Sequence, residues 1–397
     1  MKKSKLCPLP SPSLLNATST TNGFFDDLKI YLDLLESTPN CSCHDAYLPE
    51  ISLNCESFPI QHAIPTQIFY AALFTSTIIL SLIGNITVLW IVLRHRKMRT
   101  VTNYYLLNLA LADISISIFN TGFSWIYNFY YHWMFGSFYC KINHLMGVTP
   151  ICGSIFTMLV MGLDRYYAIV HPLKKRPGRR VTVCAIAAIW FLSIAFGIPA
   201  LLASQVETTY FYHDKQLIEN SQCLSDHFPD GTTNEYNNTL VIIQYVLPLI
   251  VLSWAYYRVG IVLRKDQPVG DSHHKKSIKS KRRAAYMLGL VALIFMIVWL
   301  PYHTYYFVLS FYTPSSPSEH VTIHFVYINI YWLAMSSTVV NPIIYYYMNK
   351  RFRVGFSYAF RWLPCVRGSH RDYRSVLNAS QNGRTSLLTC PAQNSVF

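Results

Sequence analysis

Met158–Leu173 reads MLVMGLDRYYAIVHPL. An apolar run suited to lipid stops at Asp164-Arg165-Tyr166 and then resumes. Two ionised side chains beside a hydrophobic segment are costly, and in a bilayer such residues mark function. Their surroundings decide the fold. Hydrophobic residues make up 52% of the 397-residue chain and charged residues 13%, about half the usual soluble share. Seven apolar stretches, roughly 66–93, 102–129, 141–164, 181–203, 238–263, 284–311 and 321–347, are each long enough to cross ~30 Å of hydrocarbon. Pro199, Pro248, Pro301 and Pro342 lie inside spans, which a bundle tolerates because neighbouring helices satisfy the freed carbonyls. The expected fold is an all-α membrane protein, a seven-transmembrane helix bundle.

The formal net charge is +14, and its placement matters more than its sum. Segments after spans one, three and five, together with the tail, hold 25 of the 33 Lys and Arg. The N-terminal segment and the other loops are net acidic. By the positive-inside rule the N-terminus lies outside and the tail in the cytosol. The bilayer accounts for the charge, and no nucleic-acid partner is needed. The organisation expected is an extracellular segment 1–65, a bundle 66–348, an amphipathic cytosolic helix 349–362 and a disordered cytosolic tail 363–397.

Met1–Lys5 is basic, but Cys7-Pro8-Leu9-Pro10-Ser11-Pro12 follows where a signal peptide needs an apolar core, so span one is the expected anchor. Sequons at Asn16, Asn40 and Asn237 fall outside and are candidate glycan sites, Asn237 the poorest because it lies at the membrane edge. Six cysteines lie outside: Cys7, Cys41, Cys43, Cys55, Cys140 and Cys223. An even number in an oxidising compartment permits three disulfides. The favoured pair is Cys140 with Cys223, which would clamp the longest outer loop over the bundle mouth. Pairing among the remaining four stays open.

Cys140 and Arg165 are 25 residues apart, or ~37 Å of helix, which puts Asp164-Arg165 at the inner rim if Cys140 marks the outer one. A snorkelling Arg with its neighbour as counter-charge would explain the pair without function. Asp113 differs, since it stands mid-span with no Lys or Arg in reach on its helix. Asn85, Ser154, Ser337 and Asn341 fall at comparable depth and form with it either a wet polar cluster or a sodium site. In span six, Pro301 makes a hinge, with Phe295 and Trp299 one turn apart below it. His303, Tyr306 and Tyr327 near the open end resemble a pocket wall. Phe352, Phe356 and Phe360 recur every four residues among basic ones, as in an interfacial helix on an anionic leaflet. Cys365 just beyond is a palmitoylation candidate. No nucleophile–base pair or metal-ligand spacing accompanies His303, so an enzyme is not expected.

One motif per span, in order, resembles the rhodopsin-like (class A) G-protein-coupled receptors. The motifs are Gly84-Asn85, Leu109-Ala110-Leu111-Ala112-Asp113, Cys140 with Asp164-Arg165-Tyr166, Trp190, Pro248 with Tyr256, Trp299-Leu300-Pro301 and Asn341-Pro342-Ile343-Ile344-Tyr345. Within that family VTNYYLLNLALAD, DRYYAIVHPL, WLPYHTYYF and WLAMSSTVVNPIIYYYMNKRFRVGF are most similar to tachykinin (neurokinin) receptors. Asp113 departs from the Glu of mammalian members. The family's ligand-contact positions are kept at Asn120, His303, Tyr306 and Tyr327, and differ at Asn143, Ala200 and Asn237.

The resemblance implies a plasma-membrane receptor for a short amidated neuropeptide, signalling through a heterotrimeric G protein of the Gq class, with receptor kinases and arrestin acting on the tail. The acidic outer face favours a cationic peptide, with Arg near its C-terminus. Receptors for other amidated peptide families, a non-coupling scavenger and a transporter stand as alternatives. In the mechanism expected, Phe295 and Trp299 repack under the peptide and span six swings about Pro301. Arg165 leaves Asp164, and Tyr256 and Tyr345 supply hydroxyls to it. No cofactor beyond a sodium ion is expected.

Overall fold

Seven helices long and apolar enough to cross a membrane organise the chain. The computed structural model describes residues 7–8, 10, 23–39, 41–46, 48, 51–55, 62–172, 177–228, 232–265, 272–312, 317–364, 366 and 373–378. In chain order, helix α1 is Phe24–Ser37 and strand β1 is Ser52–Asn54. The spans are α2 (Ile64–Arg94), α3 (Val101–Tyr130), α4 (Gly136–Val170), α5 (Arg179–Leu202) and α6 (Thr233–Arg264). Strands β2 (Ser204–His213) and β3 (Gln216–Ser225) lie between α5 and α6. Helices α7 (Ser272–Leu309), α8 (Pro317–Met348) and α9 (Lys350–Ala359) complete the described elements apart from short turns.

Helix α4 is the most buried of the seven and runs between the others, whereas α5 and α6 expose most of their apolar surface. Lipid explains that exposure, because apolar side chains facing hydrocarbon need no protein cover. Small residues permit close approach at the crossings. A Cβ on Gly84 would lie 2.8 Å from Pro342 Cγ, and one on Gly162 2.5 Å from Leu252 Cδ2. Two spans widen by a π turn near the outer end, at Ser117–Thr121 in α3 and Ile242–Val246 in α6. Such turns recur at functional sites, and no periodicity in the sequence marks them.

The N-terminal segment and the hairpin form a folded cap over one end of the bundle, labelled the outer end. β2 and β3 form an antiparallel hairpin, and β1 adds to β2 in parallel with Asn54 opposite Phe211. The amphipathic helix α1 buries Leu28, Tyr31, Leu32 and Leu35 against Tyr210, Tyr212 and Leu217 of the hairpin. The Tyr212 hydroxyl donates to Asp33 Oδ1 at 2.7 Å, and burial followed by the Asp33 carboxylate pushes that phenol well above its ordinary range. Disulfides Cys7–Cys41 and Cys43–Cys55 staple the cap, and Cys140–Cys223 ties the hairpin to α4. The favoured pair is formed, and the open pairing resolves to one arrangement.

Two expectations at the end of the bundle that carries Arg165 need correction. The helix after the bundle is Lys350–Ala359, shorter than 349–362, with the Asn349 side chain capping its start. Phe352 and Phe356 are buried against the bundle, Phe352 beside the ring of Tyr345, so much of the apolar face meets protein. The tail is not disordered throughout 363–397. Tyr373 and Leu377 are buried against the inner end of the bundle, because aromatic and aliphatic contacts there offset the entropy of ordering a short turn. Cys365 and the sequons at Asn16 and Asn40 lie outside the described residues.

Candidate functional site

A cavity of about 930 Å³ opens at the outer end. α3, α4, α6, α7 and α8 wall it, and β1 and the hairpin roof it through Asn54 and Phe211. Asn120, Asn143, His303, Tyr306 and Tyr327 all line it, so the structure brings the five ligand candidates together. Asn120 sits on the π turn of α3, which aims it across at α4. Its amide donates to Asn143 O at 3.0 Å and to Ser124 Oγ at 3.1 Å, while Tyr331 donates to its Oδ1 at 3.1 Å. Asn143 Nδ2 donates to the same Ser124 hydroxyl at 3.0 Å. Polar groups at the floor thus hold one another in place.

On the opposite wall, Tyr305, Tyr306, Tyr327 and Tyr331 form a ladder of rings with centroids 5.2 to 6.3 Å apart. His303 packs on Tyr245 and Trp299, with its Nε2 buried and unpartnered. His144 and His324 add two more buried, unpartnered Nε2 atoms to the wall. The sequence reading missed both, since a histidine in a span is more often a satisfied polar residue than a contact. Ala200 and Asn237 also line the cavity. Because Asn237 lies half-buried in the wall, a glycan on it would compete for the cavity. Among the described residues no Asp, Glu, Lys or Arg lines it.

Below the cavity a polar chain continues inward. Trp299 stacks on Phe295 at 5.3 Å and touches His303 above, and its indole N–H donates to Ser337 Oγ at 3.2 Å. Pro301 lies in α7 between them and the outer end, where its missing N–H weakens the helix. One turn below Ser337, Asn341 Nδ2 donates to Asp113 Oδ2 at 2.8 Å. Asn85 donates to the Thr338 and Ser81 carbonyls at 2.9 and 3.0 Å, leaving its Oδ1 buried without a partner. Ser154 is buried on α4. Pro342, against Gly84, brings α2 and α8 together beside this cluster.

At the inner rim Arg165 is 7% exposed. Its guanidinium donates to Asp164 Oδ2 at 2.6 Å and also to Thr102 Oγ1. Thr102 had no signal in the sequence, because a Thr at the start of a span reads as a helix cap. Tyr166 packs on Trp254 at 4.8 Å. Tyr256 lies against Gly162 and Gly289, and the Tyr345 hydroxyl is buried without a partner. Among the described residues Arg165 hydrogen-bonds to Asp164 and Thr102 and to neither phenol.

The family description "7 transmembrane receptor (rhodopsin family)" matches residues 84–345. The chain is 38% identical over 309 residues to the Tachykinin-like peptides receptor 99D of Drosophila melanogaster, covering 76% of this chain but 58% of that protein. It is 35% identical to the Probable G-protein coupled receptor tkr-1 of Caenorhabditis elegans, covering 82% of this chain and 81% of the relative. It is 37% identical to the Substance-P receptor of Canis lupus familiaris, covering 83% and 79%. All three relatives are named as receptors. With seven spans, the outer cavity and the Asp164–Arg165 pair in place, the chain belongs to the rhodopsin family of seven-transmembrane receptors and is similar to its tachykinin-type members.

Proposed function

We propose that the chain is a plasma-membrane receptor for an amidated neuropeptide of the tachykinin kind, with its N-terminus outside and its tail in the cytosol. The observation that carries this reading is the cavity wall. Among the described residues its polar groups are seven Asn and Gln carboxamides, eight Tyr phenols and three imidazoles, besides two serine hydroxyls, with no Asp, Glu, Lys or Arg. A free C-terminal carboxylate taken into such a wall would lose its hydration without gaining a cation. A C-terminal amide gives up less and finds donors and acceptors on every side. The acids gather above: Asp26, Asp27, Asp33, Glu36, Glu207, Asp214, Glu219 and Asp226 lie on the cap and hairpin or just after it, against Lys29 and Lys215. A cationic peptide would be drawn by the rim and inserted by its neutral end.

Activation is a shift between conformers, driven by tighter binding to the active one. The peptide repacks Trp299 and Phe295, and α7 swings about Pro301. Arg165 then exchanges Asp164 and Thr102 for the hydroxyls of Tyr256 and Tyr345, opening a basic cleft to a G protein of the Gq class. Receptor kinases and arrestin then act on the tail. Asp113, Ser154, Ser337, Asn341 and the orphaned Asn85 Oδ1 suit a sodium ion, a hard cation that takes oxygen ligands. Bound there, it would balance the Asp113 carboxylate.

The test expresses the full chain, applies a panel of amidated neuropeptides and their free acids, and records calcium and cyclic AMP. Calcium responses to tachykinin-type amides are expected, with each free acid weaker by ~10- to 100-fold. Equal potency of acid and amide would sink the amide reading. A response confined to another amide family would move the ligand class.

A further inference from the structure

The tail turn around Tyr373 takes no part in the cavity or the polar chain below it, yet it is anchored on several sides. Tyr373 is 7% exposed and Leu377, one turn further, 2%. The Tyr373 ring lies flat on Tyr358 of α9, with centroids 3.6 Å apart and planes within 11°. Its hydroxyl meets His95 Nε2 at 2.7 Å, and His95 Nδ1 meets the Ile91 carbonyl at 2.8 Å. Burial, the largest influence, holds the His95 pKa below its ordinary value. The ring is therefore neutral at pH 7, its Nδ1–H donates to Ile91, and Nε2 accepts from the phenol. Trp90 closes the groove, edge-on to His95 and parallel to Tyr358.

His95 opens the turn Arg96–Met98, which leads into α3. Met98 is fully buried, and its carbonyl accepts from Asn103 Nδ2 at 2.7 Å. Thr100 caps α3 through the Asn103 backbone. Thr102, beside it, accepts from Arg165. The residue that holds the tail and the residue that holds Arg165 thus lie on either side of one short hydrogen-bonded connection, His95 before the turn and Thr102 in the first turn of α3.

We propose that the groove between this turn and α9 is a docking surface for the receptor's own tail, and that the docked tail restrains coupling by keeping Thr102 against Arg165. The restraint rests on the coupling role proposed for Arg165; the docking does not. Tyr373 is a positioning residue, since it acts on Arg165 only through the turn. Any cytosolic partner that takes up Tyr373 and Leu377 would release the turn.

Two measurements on the full-length receptor in lipid nanodiscs test this. Hydrogen exchange reads docking without a G protein: amides of 373–378 should be protected in the wild type and exposed in Leu377→Ala. Basal nucleotide exchange on Gq reads restraint. Tyr373→Phe, which keeps the stacked ring and loses one hydrogen bond, should raise the basal rate about fivefold. In a Thr102→Val background the same change should add little, because both act through one contact. Unprotected wild-type amides would overturn the docking. Protected amides with an unchanged basal rate, or independent effects of the two substitutions, would overturn the restraint. A wild type that peptide fails to stimulate would overturn the coupling reading itself, and amide protection would still decide the docking.

Discussion

The two ends of the bundle are closed by different means. At the outer end three disulfides, a hairpin and a helix hold a roof over a wall whose described residues include no Asp, Glu, Lys or Arg. At the inner end closure depends on hydrogen bonds and one ion pair around Arg165, with the tail docked alongside. Covalent staples hold a shape, whereas polar contacts of about 1–3 kcal/mol each can be exchanged for others at little net cost. The difference teaches where the molecule keeps its form and where it can change.

Arg165→Ala should break the inner end most completely. Peptide binding should persist while stimulated nucleotide exchange falls by about 100-fold or more, the loss of two charge-assisted contacts with the active conformer. Radioligand binding beside an exchange assay would show the split, and full signalling by the variant would remove Arg165 from the mechanism. Cys140→Ser with Cys223→Ser attacks the outer end. The bridge closes a separation of 83 residues, for which loop entropy alone predicts a loss of about 4.5 kcal/mol. Thermal unfolding should drop by several degrees, and peptide affinity should fall with it. Asn143→Ala is the finest cut, removing a carboxamide that braces Ser124 on the cavity floor. Affinity for the amidated peptide should fall by about fivefold with coupling efficiency unchanged, which a saturation binding curve can resolve.

Much of this layout is legible in the residues themselves. Spans of 24 or more residues announce themselves by length and hydropathy. Asp113 and Arg165 stand out because lipid makes any charge conspicuous. The cap does not stand out. It depends on Asn54 pairing with Phe211, a contact across most of the bundle that no local pattern encodes. The tail turn is hidden for a similar reason, since Tyr373 and Leu377 sit in a polar stretch and gain meaning only beside Tyr358 and His95. His144 and His324 show the same limit at the site. Their role depends on what they face, and an isolated histidine in a span does not reveal that.

The claim that the outer end holds and the inner end opens can be measured with two spin-label pairs. One pair replaces Arg99 and Arg283 at the inner rim, the other Met134 and Phe311 at the outer one, all exposed. Cys184, Cys365 and Cys390 are replaced to keep labelling specific. On addition of the most potent amidated peptide from the calcium panel, the inner distance should lengthen and the outer distance should stay within its resting distribution. A longer outer distance with an unmoved inner pair would contradict the account.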